Sequence, residues 1–370
     1  MEGMVEIPRE QFWRGKRVLI TGHTGFKGSW LGLALARQGA HVAGVALPPS
    51  TEPNLFTLAR VDKLVDSYSC DIRCAASLTG IVTSVCPDIV FHLAAQSLVR
   101  AGYRDPVDTV AVNVMGTTHL LEALRGINAV RVAVLVTTDK VYKNREWPYP
   151  YREDDLLGGH DPYSASKAAA ELIAESFRLS YLAERGVAVA TARAGNVIGG
   201  GDWSADRLIP DAVRAWSAGT PLHVRHPGSV RPWQHVLDPL YGYVCLAERL
   251  WEKPELAGSY NFGPQAQSAA AVRSVVENAC ASYGGGNVAY GQDDEGPHEA
   301  GLLTLDSSKA RALLGFAPRW TLETAIERTM KWYRRQADGV DARRLCEEDI
   351  AQYLEDSGGR SRTNTEQAAA

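Results

Sequence analysis

The sequence predicts an α/β protein: a doubly wound parallel sheet followed by a smaller C-terminal α+β lobe. Three observations predict it. Short apolar runs alternate with helix-like segments through the first half of the chain. A glycine-rich turn follows the first of these runs directly. After about residue 196 the composition shifts to Gly, Pro, Trp and Arg, in segments such as GNVIGGGDW and RHPGSVRPW.

RVLITG (17–22) is a short apolar run ending in glycine, residues 28–38 read as a helix, and HVAGVAL (41–47) reads as the second strand. CPDIVFHLAA (86–95), AVRVAVLVTT (129–138) and VAVATARAGN (187–196) are further runs of this kind. Such runs, separated by helices, indicate a parallel sheet covered on both faces. Their small or polar C-terminal ends then line one crevice, where ligands bind in open α/β sheets. The stretch after 196 reads as long loops and short elements of the second lobe. A helix around 236–251 and a strand near SYNFG (259–263) are expected to return to the sheet. The expected division is 12–195 plus about 233–265 for the sheet domain, and about 196–232 plus 266–335 for the lobe. The tail, 358–370, has few apolar residues and is expected to be disordered.

The 370 residues are enough for about two domains and a large core. Apolar residues make up 45% and charged residues 22%, with a net charge of -4, and no basic stripe argues for nucleic acid or an anionic membrane. The six cysteines are scattered without a CxxC pair, which predicts buried free thiols in a reducing compartment. The N-terminal segment lacks the apolar run of a signal peptide, and no stretch has the length of a membrane span, so a cytoplasmic protein is expected. No HxxxH, CxxC or carboxylate cluster predicts a metal; His92 and His235 read as hydrogen-bonded core or loop residues.

GHTGFKG places Gly22, Gly25 and Gly28 after the first strand and at the mouth of the first helix. Glycines there permit a tight turn and close approach of backbone to a pyrophosphate, and the helix N-terminus supplies free N–H groups and partial positive charge. The context predicts a Rossmann-type dinucleotide site, although a lone triplet also fits an ordinary strand-to-helix turn. Asp71, in CDIR, is placed to accept from an adenine amino group, or else serves as a turn aspartate. VALPPSTEP, after the second strand, offers neither a ribose-binding acid nor a basic cluster, so NAD is preferred over NADP only moderately.

Tyr163 and Lys167 lie four residues apart in DPYSASKAAAEL, on one face of a predicted helix that the alanines and Glu171 favour. A tyrosine is a poor base at neutral pH, and a nearby ammonium together with a cationic nicotinamide ring favours its phenolate. Thr138, at the end of the VLVTT strand, is placed to hydrogen-bond the same sugar hydroxyl. TTDKVY adds Asp139 and Lys140, two ionisable groups beyond what an alcohol dehydrogenase needs. They point to added proton chemistry or, as readily, to a surface ion pair.

GHTGFKGSWL, HLAAQSLVR, TTDKVYKNREW, DPYSASK, RAGNVIGGGDW and RPWQHVLDPL together resemble the CDP-D-glucose 4,6-dehydratases, extended members of the short-chain dehydrogenase/reductase family. The resemblance runs from about Phe12 to Tyr333 and includes SYNFGP, LDSSKAR and APRW. Related dehydratases carry Thr-Asp-Glu where this chain has Lys140; that lysine, with TGFKGSW, favours the CDP-glucose branch over the dTDP-glucose and GDP-mannose branches.

The resemblance implies a tightly bound NAD regenerated in each cycle, held by Gly22, Thr24, Gly25, Phe26, Lys27, Gly28, Asp71, Ile72, Leu93, Ala94, Ala95, Tyr163 and Lys167. It implies that Tyr163 takes the C4 hydroxyl proton, Lys140 takes the C5 proton and Asp139 protonates the departing C6 hydroxyl. A lysine base must be neutral, and Asp139 must be protonated, for that division to work. Substrate contacts are expected from Asn196, Arg207 and Arg231, with Leu208, Gln96, Arg100 and His298 beside them. Arginines suit a diphosphate, though a lone one is more often surface charge. Gln96 and Arg100 touch the hexose or stabilise their loop. The resemblance implies a homodimer through a four-helix bundle of the helices beginning near Pro106 and Ser164, which carry many small and apolar residues, with core packing within one subunit as the competing explanation. Lipopolysaccharide O-antigen deoxysugars are the usual destination of such products. The rival readings are a dehydratase for another nucleotide hexose, a UDP-hexose 4-epimerase, and a nonenzymatic NAD-binding scaffold.

Overall fold

Residues 10–265, 268–291 and 301–366 are described by the structure, a computed structural model. Seven strands form the central sheet: β1 (Arg17–Thr21), β2 (His41–Ala46), β3 (Asp66–Ser69), β4 (Ile89–His92), β5 (Val132–Val136), β6 (Ala188–Ala194) and β7 (Ser259–Phe262). Across the sheet they run 7-6-5-4-1-2-3, and every pairing is parallel. The chain therefore builds outward from β1 to one edge, returns, and builds the other half from β4. The reversal at β1 and β4 opens a crevice at the strands' C-terminal ends.

Val132, Val134 and Val136 of β5 pack into one core with Trp13, Trp30 and Phe91. Ala133 and Leu135 pack into the other, with Leu120, Leu121 and Val189. Successive strand side chains point to opposite faces, so a sheet buried on both needs apolar residues at every position. The edge strand β3, DSYS, is mostly exposed and lacks that signature. Helix α1 (Phe26–Arg37) covers one face and α2 (Gly116–Arg125) the other. Helix α3 (Pro162–Phe177) starts at Asp161, whose carboxylate accepts from Ser164 N at 2.9 Å, with Pro162 in the first turn.

The smaller lobe contributes α4 (Leu208–Ser217) and two short strand pairs, 222–224 with 288–290 and 230–231 with 270–271. Its loop 199–203 is pinned from two sides. Trp30 Nε1 donates to Gly200 O at 3.0 Å, and the Tyr333 hydroxyl donates to Asp202 O at 2.5 Å. A Cβ on Gly200 would lie 2.1 Å from the Trp332 ring, so only glycine lets the loop pass there. The expected returning helix is α5 (Leu237–Glu252), and the expected returning strand is β7, paired to β6. Helices α6 (Leu322–Ala337) and α7 (Ala342–Glu366) close the chain. The backbone of α7 is helical through Glu366, where the sequence reading expected disorder from 358; residues 367–370 lie outside the described part.

His23, His92 and His235 are buried, and burial pushes them down to about 4, about 3 and about 3. An unfolded imidazole titrates near ~6.5, so below that pH the unfolded chain binds protons that the folded chain refuses. This contribution to stability is complete above pH ~6.5 and is lost as pH falls toward the folded values. The urea midpoint is expected to drop between pH 7 and pH 5; an unchanged midpoint over that interval would contradict the burial of neutral imidazoles.

Candidate active site

The β1–α1 turn is shaped by its glycines. Gly22 has φ 78°, and a Cβ there would lie 2.6 Å from Ala94 N. A Cβ on Gly28 would lie 2.1 Å from Gly22 O. Gly25 differs, because a Cβ there would meet nothing nearer than Gly22 O at 3.4 Å. The protein's own packing thus leaves room in front of Gly25, the N-cap of α1, and no side chain caps that helix. Uncapped N–H groups facing open space suit a pyrophosphate. A cavity of about 620 Å³ begins at this turn.

Thr24, Phe26, Lys27 and Ile72 line this cavity, as do Leu93, Ala94 and Ala95 at the end of β4. Asp71 lines it too, but its carboxylate accepts from Arg73 Nε at 3.0 and 2.9 Å. That guanidinium holds Asp71 below the usual carboxylate range. The wall after β2 is Ala46 to Thr51 and contains no ionisable side chain.

Thr138, Asp139, Lys140, Tyr163 and Lys167 line the same cavity. The turn after β5 places the first three: Thr138 caps a short helical turn, Asp139–Val141. Its hydroxyl donates to Asp139 Oδ1 at 3.0 Å and lowers the pKa of the Tyr163 phenol. Asp139 is 3% exposed and its Oδ2 has no protein partner. Burial raises its pKa, against Lys140, Thr138, Arg231 and Lys27. Such a carboxyl is suited to carry a proton rather than a charge.

Lys167 donates to Val136 O at 3.1 Å, and burial pushes it down to about 8 while Glu171 opposes the fall. Burial pushes Tyr163 up to about 12, although Thr138 and Arg207 lower it. The phenolate expected from the sequence is therefore not produced by the protein's own groups, because desolvation outweighs the cations near the phenol. Lys27 is half-buried. Burial, with Arg207 and Lys167, takes its ammonium down to about 7 against the pull of Asp139 and Asp202.

Across from this pair, Asn196, Leu208, Arg100, Arg207 and Arg231 line the cavity. Arg225, which the sequence reading missed, joins them, and Asp206 lies between Arg100 and Arg225 at 3.8 and 3.6 Å. Gln96 does not line the cavity. Its Nε2 donates to Thr109 Oγ1 at 2.9 Å and its Oε1 accepts from Leu98 N at 2.6 Å, which fixes the loop after β4. His298 lies outside the described residues. Among the described residues no group of three or more His, Cys, Asp or Glu could hold a metal ion.

Sequence reasoning also missed Glu171 and Arg193, whose buried ion pair spans 2.9 Å behind the site. Two signals were available: a glutamate on the helix face of Tyr163 and Lys167, and an arginine inside an otherwise apolar strand.

A family model described as GDP-mannose 4,6-dehydratase matches residues 19–329. A CDP-glucose 4,6-dehydratase of Salmonella typhimurium is 44% identical over 351 residues, covering 93% of this chain and 98% of that protein. A dTDP-glucose 4,6-dehydratase of Xanthomonas campestris pv. campestris is 30% identical over 340 residues, covering 85% of this chain and 92% of that protein. The fold is also similar to the crystal structure of the DesIV double mutant, a dTDP-glucose 4,6-dehydratase from Streptomyces venezuelae, with NAD and DAU bound. That likeness has a TM-score of 0.74 at 26% identity and covers 87% of this chain and 98% of the other. With the match spanning both the sheet and most of the second lobe, the chain belongs to the GDP-mannose 4,6-dehydratase family, nucleotide-sugar dehydratases within the extended short-chain dehydrogenase/reductases.

Proposed function

We propose that this chain is a hydro-lyase that converts CDP-D-glucose to CDP-4-dehydro-6-deoxy-D-glucose and water, retaining NAD through the cycle. The observation that carries this reading is Asp139, a buried carboxyl with a free oxygen in the cavity shared by Lys140, Thr138 and Tyr163. The 44% identity to a CDP-glucose 4,6-dehydratase supports the choice of base and sugar. We read 12–195 plus 233–265 as the cofactor domain, and 196–232 plus 266–335 as the nucleotide-sugar lobe.

The turn at Gly22–Gly28 would hold the pyrophosphate of NAD, Asp71 and Ile72 would flank its adenine, and Lys167 would reach the nicotinamide ribose. NAD held there would supply reversible hydride storage between C4 and C6 of the hexose. With the charge of a nicotinamide cation added to the pull of Thr138 and Arg207, Tyr163 would lose its own proton and accept that of the C4 hydroxyl. The C4 ketone acidifies the C5 hydrogen, which Lys140 takes as a proton. Asp139 protonates the C6 hydroxyl, which leaves as water. The proton held at Lys140 goes back to C5 and, through solvent, the one held at Tyr163 restores Asp139, so the net change is the loss of one water. Arg207 and Arg231, with Arg225, would bind the diphosphate, and Asn196 would hold the sugar end.

Exposed apolar side chains support a homodimer. Val107 is 78% exposed, Leu172 57% and Leu179 61%, on the helical stretches expected to form a four-helix bundle. No helix among the described residues is long and apolar enough to cross a membrane. The second reading, a 4-epimerase, gives Asp139 no task, since epimerisation expels no oxygen.

Three outcomes are expected. A panel of CDP-, dTDP-, UDP- and GDP-hexoses, offered without added cofactor, should yield a 4-keto-6-deoxy product from CDP-glucose with no net NADH; a C4 epimer instead would establish the rival. In deuterated water Lys140→Met should lose label at C5, and wash-in at the wild-type rate would remove Lys140 from the base role. Leu172→Glu should convert a dimer to a monomer in light scattering, whereas a wild-type monomer would reject the bundle.

A further inference from the structure

Glu171 stands one helical turn beyond Lys167 and two beyond Tyr163 on α3, so the three share a face. Its side chain is 2% exposed. Oε1 accepts from Thr137 Oγ1 at 2.5 Å and Arg193 Nε at 3.0 Å; Oε2 accepts from Thr191 Oγ1 at 2.6 Å, Arg193 Nη2 at 2.9 Å and Ser259 Oγ at 3.3 Å. One carboxylate on the helix thus gathers donors from the end of β5, from β6 and from β7. Lys167 makes a second attachment, to Val136 O. Val136 and Thr137 directly precede Thr138, so the two attachments set the turn that bears Thr138 against the helix that bears Tyr163.

Stability alone does not account for this arrangement. A buried ion pair is often no more stabilising than apolar side chains of the same size. It does fix one register, because every donor must find its acceptor. Glu171 is also the acidic group acting on Lys167, opposing the fall that burial imposes.

We propose that Glu171 is a positioning residue for the dehydratase reaction: it holds α3 in register with β5, β6 and β7, so that Tyr163 and Lys167 face the turn that bears Thr138, Asp139 and Lys140. This rests on the reading of Tyr163 and Lys167 as the reacting pair. Lys167 is faced by Tyr163 and Glu171 on its own helix, by His92 from β4 and by Lys27 from α1. Glu171 is faced by Arg193 of β6, which in turn meets Tyr142 and is acted on by Glu153 from the loops. Charge removed at Glu171 therefore reaches the chemistry through Lys167.

The test is the pH profile of kcat and kcat/KM for CDP-glucose, measured on the NAD-loaded enzyme, with Tm as the control for folding. Glu171→Gln combined with Arg193→Met removes the pair without leaving a lone buried guanidinium. It is expected to keep KM within about threefold, lose about tenfold or more in kcat, and move the alkaline limb down by about one pH unit as Lys167 loses its proton earlier. Glu171→Asp keeps the charge and shortens the reach. It is expected to hold the limb near the wild-type pH while kcat falls about threefold or more. An unmoved limb in the double variant, with rate loss equal to the unfolded fraction, overturns the proposal. So does full kcat in Glu171→Asp, which also serves as the test if the double variant does not fold. Lys167→Met separates the two readings: undiminished turnover there sinks the catalytic pair itself, whereas a strict need for Lys167 with an unmoved limb sinks only the role of Glu171.

Discussion

The seating of α3 on the ends of β5, β6 and β7 governs the site. A helix laid on a sheet by apolar contacts alone can slide by fractions of a residue at modest cost, because such contacts are not directional. The Glu171–Arg193 pair with its threonine and serine donors is directional, and a missing donor leaves a buried polar group unsatisfied. The helix that bears Tyr163 and Lys167 is thereby tied to the strand that bears Thr138, Asp139 and Lys140. Without that tie the five side chains would belong to two bodies.

Charge in the cavity is distributed unevenly. Lys140, Arg231 and Lys27 act on Asp139, and Arg207 and Lys167 act on Lys27. A cationic enclosure suits a substrate with two phosphates and a cofactor with two more. Desolvation works against the same charges, pushing Lys27 and Lys167 down and Asp139 and Tyr163 up. Burial therefore brings the Lys27 and Lys167 ammoniums toward neutral pH and favours the protonated forms of Asp139 and Tyr163.

The second lobe reaches this enclosure through a loop held on both sides. Trp30, from the helix that begins at the glycine turn, and Tyr333, from α6, clamp the segment 199–203. That clamp sets where Asp202 and Arg207 enter the cavity, and it joins the cofactor end to the lobe that carries Arg225 and Arg231.

Much of this was legible in the linear chain because its causes are local. Continuous apolar runs report a sheet buried on both faces, the glycine spacing reports a turn that backbone must approach closely, and a four-residue separation reports one helix face. Thr138, Asp139, Lys140, Tyr163 and Lys167 were found this way and share one cavity. The tertiary structure decided what depends on distant partners. It spent the Gln96 amide on Thr109 and Leu98, brought Arg225 and Asp206 beside Arg100, and left β3 as an exposed edge with no apolar signature. It also joined Glu171 to Arg193 and raised the Tyr163 phenol by burial. Desolvation and pairing are properties of the packed interior, set by residues far apart in sequence, so no local window could contain them.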